Sequence, residues 1–356
     1  MNATNGAGSR PRRRSGPFDG HGGADRRADH RPCDLYGALD LGTNNCRLLI
    51  ATPVDSGFTV VDAFSRIVRL GEWQGRTGRL HDQAMTRTVD ALRVCANKLK
   101  WRNVTKTRLV ATEACRTAAN GAEFISRVAA ETGLKLEIID RETEAILAAT
   151  GAEPLIDPAA DTALVFDIGG GSTEVMWMAR TGVGRFGIVA WTSLAAGVVT
   201  ISELFGGGVD VTPASFAAMR EFLRPMVMEF AERVSQITGK APVPNHLLGT
   251  SGTVTTIAGV QLGLARYDRS KVDGSWLNSA DTGRVTHDLL HMSYDERAAN
   301  PCIGRERADL VLAGCAILEE IRLAFPAERI RVADRGLREG ILTMLMKQDG
   351  IYGRPA

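Results

Sequence analysis

Asp167-Ile168-Gly169-Gly170-Gly171-Ser172-Thr173-Glu174 follows directly on the apolar run Thr162-Ala163-Leu164-Val165-Phe166. A buried strand thus delivers a carboxylate into a loop of three glycines. With no Cβ atoms to block the approach, successive backbone N–H groups of Gly169, Gly170 and Gly171 can face one anion. Ser172 adds a hydroxyl, and Asp167 and Glu174 add the hard oxygen ligands that Mg2+ prefers. A lone glycine-rich turn could be no more than a hairpin tip. The same device occurs earlier, however, where Tyr36-Gly37-Ala38-Leu39 leads into Asp40-Leu41-Gly42-Thr43-Asn44-Asn45-Cys46-Arg47. Apolar runs resume after both turns, as Leu48-Leu49-Ile50 and as Val175-Met176-Trp177-Met178. The pattern predicts two hairpins with phosphate-facing tips. Their domain-scale separation points to an internal duplication, with two similar lobes around a cleft.

Composition agrees with that reading. The 356 residues suffice for two domains of ordinary size, and 44% hydrophobic residues supply a core for each. No apolar run approaches the roughly 18 residues of a membrane span. The six cysteines show no CxxC or framework spacing, so a reduced, cytoplasmic protein is expected. Residues 1–33 differ from the rest. They are rich in Gly, Ser, Pro and Arg and carry a net charge of +4, against −2 for residues 34–356. This segment reads as a disordered basic tail that solubilises the chain or touches polyanions.

Between the two phosphate turns, strands and helices alternate. Gly57–Ala63 and Ser65–Leu70 read as strands, and His81–Trp101 reads as an amphipathic helix on Met85, Val89, Leu92, Ala96 and Leu99. A strand over Arg108–Thr112, a helix near Gly121–Thr132, a strand over Leu136–Asp140 and a helix over Glu142–Thr150 follow. This order predicts an α/β fold, in which ligands collect beyond the carboxyl ends of the strands. Thr112–Arg116 and Asp140–Glu144 both lie at such ends. Further on, Trp191–Leu194 reads as the start of a helix reaching Phe205, and a second helix runs from Val211 to Ile237. His246–Val254 reads as strand, glycine turn and helix, which makes Ser251 and Gly252 candidate anion ligands. A helix over Ala308–Phe325 and a strand over Ile330–Ala333 close the pattern. His287 and His291 have zinc-compatible spacing, but only Asp288 and Cys302 lie nearby, so an ordinary helix surface is expected.

The two phosphate turns together resemble the motifs of the exopolyphosphatase/guanosine pentaphosphate phosphohydrolase (Ppx/GppA) family. Asp40 to Arg47 is similar to the first phosphate motif and Asp167 to Glu174 to the second, and the likeness runs from about residue 34 to about 347. The resemblance implies the sugar kinase–actin–Hsp70 superfamily, with two ribonuclease H-like (actin-like ATPase) lobes around a central cleft. The expected boundaries are 34–150 and 151–356. It implies that Gly42, Thr43, Asn44, Arg47, Gly169, Gly170, Gly171 and Ser172 hold phosphate. It also implies that Arg116, in Thr112-Glu113-Ala114-Cys115-Arg116, contacts substrate, a task suited to the guanidinium fork. Glu144 aligns with the family's catalytic glutamate, although the residues alone do not separate it from Glu142. Ser251 and Gly252 resemble a third glycine segment, and Gly336–Gly340 the closing motif, where the family more often has a small residue in place of Arg335. Long members carry an extra helical domain for which 356 residues leave no room, so a short two-domain form is expected.

The resulting expectation is an exopolyphosphatase releasing orthophosphate from the end of inorganic polyphosphate. Mg2+, or Mn2+, would sit among Asp40, Asp167 and Glu174. Guanosine pentaphosphate is the alternative substrate; a superfamily phosphotransferase and a non-catalytic sensor are more distant alternatives. No membrane and no specific nucleic-acid partner are expected, and a homodimer is left open.

Overall fold

The computed structural model describes residues 34–351 apart from Ser56. The basic segment 1–33 lies outside the described residues. Eleven strands form two sheets. The first contains β1 (Tyr36–Leu41), β2 (Asn45–Val54), β3 (Gly57–Ile67), β4 (Lys106–Ala111) and β5 (Glu137–Ile138) in the order β3-β2-β1-β4-β5. The second contains β6 (Thr162–Ile168), β7 (Thr173–Gly182), β8 (Arg185–Leu194), β9 (His246–Thr250), β10 (Trp276–Asn278) and β11 (Arg329–Ala333) in the order β10-β11-β9-β6-β7-β8. In each sheet an antiparallel three-strand meander (β1-β2-β3 and β6-β7-β8) continues into parallel neighbours reached by helical crossovers. The duplication expected from the two turns is thus a duplication of whole sheets. The fold is α/β, with two ribonuclease H-like lobes around a central cleft.

Local chemistry accounts for most boundaries. The helix Asp82–Trp101 buries Val89, Leu92, Cys95 and Leu99 on one stripe against the first sheet. The helix Pro213–Thr238 opens on a Thr212/Ser215 capping box and closes on Gly239 in the left-handed region. Three expectations need correction. Gly57–Ala63 and Ser65–Leu70 are replaced by one strand, β3, which runs through Phe64 without a break and ends at Ile67, short of Leu70. Only Glu137–Ile138 pairs with β4, so the strand expected over Leu136–Asp140 is shorter. Trp191–Leu194 does not open a helix but ends β8, where aromatic and β-branched residues suit a pleated surface. The helix begins after Gly197.

Two helices lie between the sheets and hold the lobes in place. Arg141–Ala152 turns Leu147 toward the first sheet, and Ala145, Ala149 and Ala152 toward Val165, Met176 and Met178 of the second. Leu337–Gln348, near the end of the chain, returns to the first sheet and packs Ile341, Leu342 and Met346 against Tyr36, Ala38, Leu49 and Ala51. The two helices cross at glycines: a Cβ on Gly340 would stand 1.9 Å from the Leu147 carbonyl oxygen, and one on Gly151 1.9 Å from that of Gly336. On the other side of the cleft Arg69 makes a two-pronged ion pair with Asp309, at 2.9 and 3.0 Å.

Candidate active site

The strand ends aim both turns into the cleft. Across the β1–β2 hairpin Asp40 pairs in register with Arg47, and across the β6–β7 hairpin Asp167 pairs with Glu174. The duplicated device is therefore unequal: one tip carries a carboxylate and a guanidinium, the other two carboxylates. The tips touch. A Cβ on Gly170 would come within 2.9 Å of the Thr43 Cβ, and one on Gly171 within 2.6 Å of its hydroxyl oxygen. Only bare backbone at Gly170 and Gly171 lets the two turns approach this closely.

Asp40, Gly42, Thr43, Asn44, Arg47, Glu144, Asp167, Gly169, Gly170, Gly171, Ser172, Glu174, Ser251 and Gly252 all line one cavity. Of the residues expected from sequence, Arg116 alone is absent from that lining. It lies behind Glu144, its Nη2 3.0 Å from the Glu144 carboxylate. His287 and His291 stack with ring centroids 4.2 Å apart on an exposed helix face, away from the cleft.

The cleft holds unspent bonding capacity. Asn44 Oδ1 and Ser251 Oγ are buried without a hydrogen-bond partner. Ser251 also sits at φ +87°, a left-handed conformation that costs a non-glycine residue of order 1–3 kcal/mol. Strain and an orphaned hydroxyl thus coincide at this one residue of the cavity wall. The carboxylates are crowded. Burial, with a smaller push from Asp167, raises Asp40 to about 6 against the pull of Arg47 and Arg338. Burial raises Asp167 as well. Burial and then the Asp167 charge raise Glu174 to about 7, although Ser193 donates to it at 2.8 Å. Burial and then Glu174 hold Glu144 well above the ordinary carboxylate range.

Several residues of the site were not singled out from the sequence. Glu113 is buried in the cleft wall between Arg116 and Arg141. Arg307 lines the cavity and also a second chamber that opens behind it, along with Arg47, Arg338, Arg305, Arg269 and Arg335. Arg269 and Arg335 are tied to carboxylates, Arg269 to Glu339 at 3.3 Å and Arg335 to Asp273. The Arg47 side chain makes no hydrogen bond or ion pair among the described residues, and the Arg338 side chain pairs only with Glu339, at 4.0 Å. Burial, with Arg47 adding repulsion, depresses the pKa of both Arg307 and Arg338. Arg307 and Arg338 precede or open helices within mixed-charge segments, and such segments read as solvated surface until the fold turns them inward.

Comparison with known proteins places the chain in a family. The profile of the Ppx/GppA phosphatase family matches residues 49–349. The chain belongs to the Ppx/GppA family. It is an enzyme, a phosphoanhydride hydrolase. It is 30% identical over 324 residues to exopolyphosphatase 2 of Mycobacterium tuberculosis, covering 86% of this chain and 97% of that protein. The crystal structure of the Ppx/GppA family member from Aquifex aeolicus superposes with a TM-score of 0.73 at 28% identity, over 89% of this chain and 99% of that one. An exopolyphosphatase structure from Cytophaga hutchinsonii, at 24% identity, gives 0.80 over 88% and 98%, which confirms the fold. Among the described residues of this family member no helix is long and apolar enough to cross a membrane.

Proposed function

We propose that this enzyme is an exopolyphosphatase that hydrolyses the terminal phosphoanhydride bond of inorganic polyphosphate and releases orthophosphate. The observation that carries the reading is the second chamber. The cavity between the glycine loops has room for a terminal phosphoryl group, and behind it the space continues along Arg47, Arg305, Arg307 and Arg338. Arg307 and Arg338 are half-buried, and burial with repulsion from Arg47 depresses the pKa of both; such cations call for an anion, and a chain of phosphates supplies one charge after another. Guanosine pentaphosphate would present the same bond on a shorter anion. Of the residues lining the chamber Tyr267 alone is aromatic, so a purine ring would meet at most one stacking partner there.

In this reading the backbone N–H groups of Gly170 and Gly171 and the Ser251 hydroxyl hold the terminal phosphoryl oxygens; the Gly169 N–H is spent on the Ser172 carbonyl at 2.9 Å, and the free Asn44 Oδ1, an acceptor, suits a water or a protonated oxygen. Glu144 faces the attacking water from the far wall, orients it and takes its proton. A carboxyl raised well above its ordinary pKa is a stronger base, and a better match to neutral pH, than a solvated one. The arginines of the chamber hold the leaving chain and spread the charge that develops on it.

The donors also fit a divalent cation. Asp40, Asp167 and Glu174 are oxygen ligands whose pKa values burial raises, with the Asp167 charge adding to the other two, a condition a bound cation relieves. Among the described residues no three acidic, imidazole or thiol side chains are grouped closely enough to hold a metal ion by themselves. A cation here would also need waters and substrate phosphate oxygens, the usual surroundings of Mg2+, which takes only one or two carboxylates. Mg2+, or Mn2+ in its place, would draw those carboxylates from Asp40, Asp167 and Glu174 and would supply charge neutralisation on the phosphoryl oxygens. The five cysteines of the described residues are all free thiols, in keeping with a reduced, cytoplasmic setting.

The test is orthophosphate release, without an acceptor, from polyphosphates of graded length and from guanosine pentaphosphate. Polyphosphate should be the better substrate by kcat/KM, EDTA should abolish release, and Mg2+ or Mn2+ should restore it. Turnover that needs an acceptor would make the protein a phosphotransferase, tight binding without turnover a sensor, and full activity in EDTA would remove the metal.

A further inference from the structure

Arg116 has little left to give a phosphate. Its Nε and Nη2 donate to Glu113 at 3.2 and 2.5 Å, its Nη1 donates to the Ile139 carbonyl at 2.7 Å, and Nη2 also donates to Glu144 at 3.0 Å. Four of the five N–H groups of a guanidinium are thus committed within the protein. Glu113 is held as firmly. Arg141 donates to its other oxygen at 2.8 Å, so the carboxylate lies between two guanidiniums. Burial works against the Glu113 charge, but hydrogen bonds from Arg141 and Arg116 more than offset it and draw its pKa below the ordinary value. The result is an alternating row, Arg141–Glu113–Arg116–Glu144, with no net charge. Both ends of the row lie in the first turn of one helix, Arg141–Ala152.

The row runs along the phosphate loop. A Cβ on Gly171 would stand 3.1 Å from Glu113 Cγ. A guanidinium released from Glu113 would therefore be within reach of a phosphoryl group on that loop. We propose that Glu113 is a positioning residue that holds Arg116 against Glu144 and withholds it from substrate, so that Arg116 orients the base rather than binding phosphate. This rests on the reading of Glu144 as the group that orients water. It also accounts for a feature otherwise out of place: a buried carboxylate beside a loop built for an anion, tolerable there because two arginines neutralise it.

The test is a steady-state comparison of Glu113→Gln with wild type on polyphosphate. The amide keeps the shape but removes the charge that ties Arg116. The expected result is a split: kcat falls about tenfold as Glu144 loses its fixed orientation, while KM falls severalfold as Arg116 turns to the phosphates. Calorimetric titration of polyphosphate into Glu113→Gln/Glu144→Gln should likewise show tighter binding than into Glu144→Gln. A KM that rises would mean that Arg116 grips phosphate and Glu113 merely aims it, and unchanged kcat and KM in a folded variant would mean that the row is inert; either overturns the proposal. Should Glu113→Gln fail to fold, Glu113→Asp keeps the charge but draws it back by one methylene, and the same split is expected. Full activity of Glu144→Gln would instead overturn the underlying reading of the base, whatever Glu113 does.

Discussion

Two neighbouring glutamates show what the fold adds to a residue. Glu142 and Glu144 occupy the same helical turn and are indistinguishable by composition. In the structure Glu142 is exposed, whereas the Glu144 side chain is 12% exposed, paired with Arg116 and directed into the cleft. Glu144→Gln should lower polyphosphate hydrolysis by about 10²-fold or more, the scale of a lost general base, with binding largely kept. Glu142→Gln should retain nearly full activity; the reverse pattern would place the base two residues earlier. His246 gives a pH signature. It is fully buried at the start of β9, its Nε2 accepts the Asp157 backbone N–H at 3.1 Å, and its Nδ1 lies 2.9 Å from the Leu247 carbonyl. The ring is therefore neutral with the proton on Nδ1, and burial lowers its pKa. The unfolded chain takes up the proton first, so the contribution to stability is full above the ordinary histidine value of about 6.5 and is lost as pH falls below it. Between pH 7 and 5 the urea-unfolding free energy of His246→Asn should fall less steeply than that of wild type, by up to about 1.4 kcal/mol per pH unit. Parallel slopes would show that the ring protonates in place.

At the scale of elements, packing and propensity make opposite predictions at the crossing of the two inter-sheet helices. Gly340 lies inside Leu337–Gln348, where replacing glycine by alanine ordinarily stabilises a helix by about 1 kcal/mol. A methyl group there would press on the Leu147 carbonyl, which is backbone and cannot rotate away. Gly340→Ala should therefore destabilise by about 1–3 kcal/mol, the usual cost of overpacking, as read by chemical denaturation. A stabilised variant would show that the helices can slide apart without loss. The same scale shows what the sequence made legible. The two strand–turn–strand units were readable because Asp-x-Gly, glycine and apolar runs are local signals, and they located most of the cavity. The helices at Gly121–Thr132 and Pro213–Thr238 were readable from period and punctuation. Trp191–Leu194 was misread because a short apolar–polar mixture before a glycine fits a helix start as well as a strand end. Arg307 had no local signal, and Glu113 and Arg338 stood inside segments marked for other reasons, the Arg116 segment and the closing motif, without being singled out. Their roles depend on which loops meet across the cleft, and no local pattern records that.

At the scale of the whole molecule, the two lobes are held together by connections of different kinds. Buried helices cross at one side of the cleft, and an ion pair, Arg69–Asp309, spans the other. The first sheet depends on the far end of the chain. One face of β1 and β2 is covered by helices made from residues 82–132, but the other is covered largely by Ile341, Leu342 and Met346. A fragment of residues 34–150 should therefore expose the Tyr36, Ala38, Leu49 and Ala51 face and fail to unfold cooperatively, whereas the same fragment with residues 336–351 joined through a flexible linker should recover a cooperative transition by circular dichroism. Cooperative unfolding of the unaided fragment would show the returning helix to be an accessory. The return of that helix also bears on how the protein is made. A ribosome releases the chain from its amino end, so β1 leaves the tunnel about 300 residues before the helix that seals it. The first sheet waits, half covered, through the synthesis of the entire second one, and a ribosome stalled anywhere before residue 341 holds a nascent chain with an apolar face open to chaperones.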